Sequence, residues 1–593
     1  MPFTPPAAFT TRPTLTGSFG MAASTHWIAT GVAQGILERG GNAFDAVVAG
    51  GFALHLVEPH LNGPGGDLVG IFVTGDRPDT PRVLMGQGPA PSNATIAHFR
   101  REGLHLVPGA GGLAAAVPGA VDAWLLLLRD HGVLSLRDVL APTIAYARSG
   151  VPLSATAAAA IGRVAGLFRS HWRSSADLWL ADGVPAEGDL VRNPRYADLL
   201  DELATAATGQ ERTRGIDRAR ELWAQTVGRA ASAFLATPHR HSDGADHAAV
   251  IRTEDVTGFR AGYEDAVTIP FRGLTVAKAG AWTQGPALLE ALLILEPLPD
   301  DLLDPSTPSG AHAVVEALKL ALADRDAHFG DGVDVGPLLT ADYADARRAG
   351  IGEEASHAWR PGTPGGRRPY WPPLTLDASA EGADALGVGE PTVAVTGQTR
   401  GDTCHIDVVD RWGNVVAVTP SGGWLQSSPA IPELGFCLGT RLQMTWLDEA
   451  APSALRPGAR PRTTLTPTLV IDEHSAMAIG TPGGDQQEQW QLPALLRILV
   501  GGYSPQQAID APTLHTTALI DSFWPRSWTP AGVVVEGRIG EAVVQELRDR
   551  GHDVTVSGDW SLGRLSAVGI DRRSGRVWAA ANARGMLGYA AGR

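Results

Sequence analysis

Cysteine is almost absent from this chain of 593 residues: there are two, Cys404 and Cys437. Two thiols cannot build a disulfide framework or a four-cysteine zinc site, and they leave the compartment open. Positive charge is also short. Lys and Arg total 48 against 63 Asp and Glu, a formal net charge of -15. That balance favours solubility and offers no basic stripe for a nucleic-acid backbone. No charge-free apolar run of about 18 residues occurs, so no membrane span is expected. The opening MPFTPPAAFTTRPTLTGSFG lacks a basic region followed by an apolar one. No secretory signal is read there, and a cytoplasmic location is expected.

What the chain has in quantity is glycine (71) and proline (43), on a background of 44% hydrophobic residues. Many turns and irregular connections follow from that. The length suits several layers around one large core, or two to four domains. Residues 24–56 read as two helices around Gly40-Gly41-Asn42, with Asn42 capping the second. GPGGD (Gly63 to Asp67) then precedes two strands. It lacks the lysine and spacing of a phosphate-binding loop, so nucleotide binding is not read there. Residues 117–236 are mostly helical. HRHSDGADH holds His239, His241, Asp243, Asp246 and His247, all possible metal ligands. Its small neighbours favour a mobile surface loop, and no metal or cofactor is expected.

Strands over 267–280 lead to two strong helices, GPALLEALLIL and AHAVVEALKLALADRDAHF. Residues 355–402 lose periodicity, gather proline and glycine, and read as a flexible linker or exposed loop. From 403 onward a second region begins. Strands 404–409 and 415–419 join through Asp410 to Asn414, where Gly413 suits a positive φ. Two strands and a glycine turn fill 466–484. Residues 486–511 read as helix, interrupted at Pro493 and Pro505, and an alternating αβ pattern closes the chain. Strands with strong helices suggest sheets covered by helices.

Within GDTCHIDVVDRWGNVVAVTP, alternation puts Thr403, His405 and Asp407 on one strand face and Cys404, Ile406 and Val408 on the other. The first face is either solvated or a buried network. A threonine hydroxyl needs a base beside it to act as a nucleophile. An N-terminal threonine carries its own, the α-amine, with an ordinary pKa of about 7.7–8.0. Thr403 gains that amine only if the Asp402–Thr403 bond is cut. Spacing alone favours an ordinary strand threonine.

Longer segments decide the matter. RPTLTGSFGMAASTHWIATGVAQGILERGGNAFDAVVAGGFALHLVEPHLNGPGGD, HAVVEALKLALADRDAHFGD, TCHIDVVDRWGNVVAVTPS, RPRTTLTPTLV and GTPGGDQQ occur in that order across most of the chain. Together they resemble the γ-glutamyltransferase (glutathione hydrolase) family of N-terminal-nucleophile enzymes. The resemblance implies an α+β fold, a four-layer αββα sandwich with Thr403 opening an inner strand. It implies self-cleavage between Asp402 and Thr403 into a large subunit, 1–402, and a small subunit, 403–593, that stay associated. A dimer of such heterodimers is plausible. Thr403 matches the nucleophile, Ser421 a hydroxyl supporting it, and Gly483 and Gly484 the oxyanion hole. Thr463 and Thr464 match a serine pair that binds the donor's α-carboxylate. Cys404 stands where a second threonine is usual.

The departures bear on substrate. The family's carboxylate-clamping arginine is missing from LMGQGPAPSNAT, where Gly86 or Gln87 stands. The acidic acceptor of the donor's α-ammonium is missing too: Arg441, Leu442, Gln443 and Met444 fill that stretch. Gly423 replaces an asparagine beyond the nucleophile hairpin. Trp424 and Trp446 either line a more apolar pocket or belong to the core, and Arg441 or Arg462 could replace the clamp. A small-molecule amide is therefore the expected substrate, cleaved through a threonyl acyl-enzyme. The alternatives are a γ-glutamyl transferase or hydrolase proper, an oxamate-type amidohydrolase, and an unprocessed, non-catalytic binding relative.

Overall fold

The computed structural model describes residues 3–376 and 403–593. Strands β1 (Leu15–Gly17) and β2 (Gly20–Ser24) open the chain, followed by helices α1 (Trp27–Glu38) and α2 (Ala43–Val57). Asn42 caps α2: its side chain accepts from the Phe44 and Asp45 N–H groups, and the Asp45 carboxylate accepts from Asn42 N–H. Strands β3 (Asp67–Thr74) and β4 (Arg77–Gly86) follow. A helical insertion includes α3 (Ala120–His131), α4 (Leu136–Ser149), α5 (Pro194–Ala206) and α6 (Arg212–Leu235). Strands β5 (Gly262–Asp265), β6 (Val267–Phe271) and β7 (Leu274–Lys278) lead to α7 (Gly285–Leu295) and α8 (Pro308–His328).

Beyond 403 come β8 (Ile406–Asp410), β9 (Val415–Ser421), β10 (Thr468–Ile471) and β11 (Ser475–Gly480). Helix α9 (Gln487–Leu499) and strands β12 (Ser566–Asp571), β13 (Arg576–Ala581) and β14 (Tyr589–Gly592) complete the frame. Two seven-stranded sheets result, ordered β14-β2-β8-β9-β3-β4-β5 and β1-β13-β12-β11-β10-β7-β6. Strands from before and after residue 402 are interleaved in both, so a cut there leaves each sheet hydrogen-bonded across the two pieces.

Burial shows the layering. Ala22, Leu68, Phe72, Ile406, Val408, Val416 and Val418 face α1 to α6. Val276, Val470, Met477 and Ile479 face α7, α8 and α9. Ala23, Val69, Ile71, Val409, Val415 and Ala417 meet Ala476, Ala478, Val568 and Ile570 between the sheets. This is a four-layer αββα sandwich, as expected. No helix among the described residues is long and apolar enough to cross a membrane.

Three readings need amending. Pro493 does not interrupt α9, which runs through it; buried Leu492, Ala494, Leu495 and Leu496 hold that turn by packing. The segment from His239 to His247 is a pinned hairpin instead of a mobile loop: His239–Arg240 pairs with Asp246–His247. Buried His241 accepts the Leu113 N–H at Nε2, and His247 lies between Glu102 and Asp243. Residues 355–376, the described part of the expected linker, are irregular but held down. Ser356 N–H and the Arg360 guanidinium both reach the Glu316 carboxylate, and Trp359 is buried. The rest of that stretch, and Asp402 with it, lies outside the described residues.

Candidate active site

Thr403 is fully buried, bridges Ser421 in antiparallel fashion, and has its Oγ1 3.4 Å from Ser421 Oγ. Pairing dictates this meeting. The β8–β9 register sets Ile406 opposite Val418, and Cys404 N–H donates to the Pro420 carbonyl at 3.0 Å. Both hydroxyls therefore point into the space between the sheets. The next inward residues form a closed network. His405 bonds Asp407 through Nε2 (2.8 Å) and Thr419 Oγ1 through Nδ1 (2.8 Å), and Ser566 Oγ donates to Asp407 (2.7 Å). Burial pushes the Asp407 carboxyl up, while His405 and Ser566 pull it back. The polar face of β8 and the residues leading into it is thus a buried network.

The opposite face carries Cys404. Its thiol donates to Glu58 Oε2 at 3.1 Å, and Glu58 Oε2 also accepts from Thr25 Oγ1. Burial and the neighbouring Glu58 charge hold the thiol protonated, well above its ordinary range.

Backbone crowding fixes the segment after Ser421. A Cβ on Gly423 (φ 62) would lie 2.7 Å from Gly66 N, and one on Gly66 would lie 2.1 Å from Ser421 O. An asparagine cannot occupy position 423 with this backbone. GPGGD is therefore a packing plate beneath the β8–β9 hairpin. Its Asp67 takes a bidentate grip from Arg441 (2.6 and 2.8 Å), so this buried arginine is saturated. Trp424 packs with Met444 and Phe523, and Trp446 lies under the Arg526 guanidinium, 4.0 Å from centroid to carbon.

β11 ends at Gly480, pressed on the His405 ring, and the turn Gly483-Gly484 (φ 122 and 53) opens the approach to α9. Gln284 Nε2 donates to Gly484 O at 2.8 Å, and the Trp490 ring fills the space where a Gly483 side chain would go. Asp485, next along, accepts from Arg325 and from the Ser522 N–H (2.7 Å). Arg462 Nη2 donates to Ser522 Oγ at 2.7 Å; its Nη1 is buried without a partner, as is the hydroxyl of Thr464. Burial lowers Arg462 to about 10. Thr463 is tied by its N–H to Trp282 O. Gln87 is buried and donates to Gly88 O, leaving its Oε1 unpaired.

Four carboxylates in this region are committed. Asp326 and Asp485 pair with Arg325, Asp67 with Arg441, and Asp448 accepts from Tyr370 OH. Burial and the Asp485 charge push the Asp521 carboxyl well up. Among the described residues, His312, Glu316 and His552 could hold a metal ion, but Glu316 already accepts from Lys319 and Arg360.

The sequence reading pointed to Thr403, Ser421, the glycine turn and the threonine pair, and it raised Arg462. It missed Glu58, Asp67 and Ser522. Asp67 sits in a quoted motif, yet nothing local marks it as an arginine's partner.

A four-layer sandwich with a threonine opening an inner strand is the architecture of N-terminal-nucleophile hydrolases. Residues 29–592 match the gamma-glutamyltranspeptidase family, and the chain belongs to that family. It is similar to the glutathione hydrolase-like YwrD proenzyme of Bacillus subtilis (29% identity; 94% of this chain, 95% of that protein). It is equally similar to the oxamate amidohydrolase proenzyme of Klebsiella pneumoniae (29%; 93% and 94%). A solved structure of LmbA2991 superposes with a TM-score of 0.92 at 47% identity, over 99% of this chain and 100% of that one. Cephalosporin acylase from Bacillus halodurans gives 0.80 at 26%, over 98% and 97%.

Proposed function

We propose that this protein is a self-cleaving amidohydrolase whose nucleophile is Thr403 and whose acyl donor carries a carboxylate but no α-ammonium group. Cleavage after Asp402 turns the Thr403 backbone nitrogen into an α-amine. That amine takes the hydroxyl proton as Oγ1 attacks the amide carbonyl. The N–H groups of the Gly483-Gly484 turn receive the developing oxyanion. Collapse expels the amine, which takes up the proton. Water then attacks the threonyl ester, releasing the acid and restoring Thr403; an amine in place of water makes the reaction a transfer.

The observation that carries this reading is the buried Thr403–Ser421 pair, with Oγ1 3.4 Å from Oγ, at the head of an inner strand. The substrate class rests on charge. Arg462 and Thr464 leave a cation's N–H and a hydroxyl unpaired for a carboxylate, whereas Asp67, Asp326 and Asp485 are paired with arginines. An ammonium placed there stays unpaired, which is costly in a closed pocket. The similar proenzymes act under names as different as glutathione hydrolase-like and oxamate amidohydrolase, which fits a shared mechanism with a variable acyl pocket.

The test compares kcat/KM for glutathione, a γ-glutamyl anilide and a glutaryl anilide. The glutaryl compound is expected to win. If γ-glutamyl substrates win by about a hundredfold, roughly 2.7 kcal/mol, the argument from missing ammonium partners is wrong.

A further inference from the structure

The Gly483-Gly484 turn takes its shape from within and its place from outside. Gly483 O accepts the Gln486 N–H at 2.9 Å, and Gly484 O accepts the Gln487 N–H. These bonds close the turn on itself without fixing where it lies relative to Arg462, Thr463 and Thr464. Two ties do that. Arg462 reaches Ser522 Oγ, which donates to Asp485, one residue past the turn. The second tie starts one residue later. Thr463 forms a parallel bridge with Thr283, and its N–H donates to the Trp282 carbonyl at 2.9 Å. The residue after Thr283 is Gln284, whose Nε2 donates to Gly484 O at 2.8 Å. Three consecutive residues between β7 and α7 thus touch both the threonine pair and the glycine turn.

This segment is braced. The Gly280 carbonyl accepts both the N–H and the hydroxyl of Thr283 at 2.9 Å, and Thr283 Oγ1 accepts the Gly285 N–H at 3.0 Å. Gln284 is fully buried, and its amide is held at both ends. Its Oε1 accepts from Arg325 Nη1 at 2.8 Å, and Arg325, on α8, is itself anchored on Asp326, Asp485 and the Ile520 carbonyl. Turned over, the amide would set its oxygen against the Gly484 carbonyl and its NH2 against the guanidinium, so one orientation alone pairs both. A donor with its carboxylate at Arg462 and Thr464 and its carbonyl oxygen in the turn spans the gap with a fixed number of methylenes. A misplacement of about 1 Å there can cost about a hundredfold in rate.

We infer that Gln284 is a positioning residue that sets the spacing between the carboxylate-binding segment and the glycine turn, and so selects the chain length of a dicarboxylic acyl group. This rests on the function proposed above, and its test separates the two. The substrates are the mono-nitroanilides of succinic, glutaric and adipic acid. Wild type is expected to favour one length by about tenfold or more in kcat/KM. Gln284→Met keeps the volume and removes both hydrogen bonds. Gln284→Glu keeps the shape and the Arg325 contact and removes the donor to Gly484. Both variants are expected to lower kcat on the favoured length by about tenfold, and to bring the three lengths within about threefold of one another. A loss of packing alone would lower the melting temperature and leave the ratio between lengths as it was.

Binding reads the same spacing without turnover. Calorimetry with free succinate, glutarate and adipate places one carboxylate at Arg462 and the other at the turn. Wild type is expected to bind one of the three about tenfold more tightly than the others, and both variants to bind all three within about threefold. If that holds while wild type neither cuts itself nor turns over any anilide, the reading of Thr403 as nucleophile fails and the spacing role of Gln284 stands. The inference is overturned if either folded variant keeps the wild-type length preference, or if wild type shows none in binding.

Discussion

The layer between the two sheets is built in two ways along its length. At the end where β8 turns into β9, the inward residues are Val409, Val415 and Ala417, meeting Ala476, Val568 and Ile570. At the other end the same alternation delivers Asp407, His405 and Thr403 from β8, and Thr419 and Ser421 from β9. They face Gly480 and Ser566, which pair with each other in the second sheet. One strand pair thus runs from a dry, small-residue core to a polar chamber. The dry end needs only volume and shape. The polar end needs every group matched, because an unpaired buried polar atom costs about 1–3 kcal/mol. Stability and chemistry are therefore expected to separate along the strand, and each prediction tests that separation.

The largest effect is at the polar tip. Thr403→Ala is expected to abolish both self-cleavage and turnover, since each needs the hydroxyl. Intact mass of wild type should give a chain ending at Asp402 and a chain beginning at Thr403, and the variant one uncut chain. Its melting temperature should change little, because no apolar volume of the dry end is touched. An active, uncut wild-type chain would remove the basis for an N-terminal nucleophile.

At the dry end the outcome should invert. Ile71→Ala, at a fully buried position, is expected to cost about 2–5 kcal/mol of unfolding free energy through lost transfer energy and a residual cavity. kcat at a temperature where the variant is folded should stay within about twofold of wild type. A large fall in kcat with intact folding would mean the two ends are coupled.

The third test contrasts two buried arginines beside the polar end. Arg462→Leu removes the group with an unpaired N–H, and kcat/KM for a carboxylate-bearing donor should fall by about 10–150-fold, the worth of a charged hydrogen bond of about 1.5–3 kcal/mol. Arg441→Leu leaves Asp67 buried and unpaired, so its loss should appear first in stability, by about 3–5 kcal/mol. Equal behaviour of the two variants in both measurements would erase the distinction between a ligand-binding arginine and a structural one.

How much of this was legible in the sequence follows from which contacts are local. The alternation of Thr403, His405 and Asp407 was visible because a strand's period is two residues. The turn at Gly413 and the cap at Asn42 were visible because the signals lie within a few residues of each other. The αββα frame followed from matching segments along the chain. Arg441 and Asp67 are 374 positions apart, and Cys404 and Glu58 are 346 apart. No spacing rule reaches across two sheets, so the partners that saturate one arginine and leave others open could be found only in the fold. Pro493 and the His239 hairpin misled for the same reason: packing from distant elements overrode a local signal.

The smallest expected effect concerns Cys404, which sits beside Thr403, the proposed nucleophile, and has the reactive chemistry that tempts a catalytic reading. Its thiol is fully buried, donates to Glu58, and is held protonated well above its ordinary range by burial and by that carboxylate. The folded pKa is raised, so the associated stability is fully present below the unfolded thiol's pKa, near 9, and is lost only as pH rises toward the folded value. At neutral pH the thiol is therefore a hydrogen-bond donor, since only the thiolate attacks. Cys404→Ala should cost about 1–2 kcal/mol, one donor to a carboxylate that keeps Thr25, and leave kcat nearly unchanged. Iodoacetamide at pH 8, followed by intact mass, should find Cys404 unmodified in the native protein and modified after unfolding. Native alkylation with loss of activity would place a working thiolate at the polar end and break the assignment of the chemistry to Thr403.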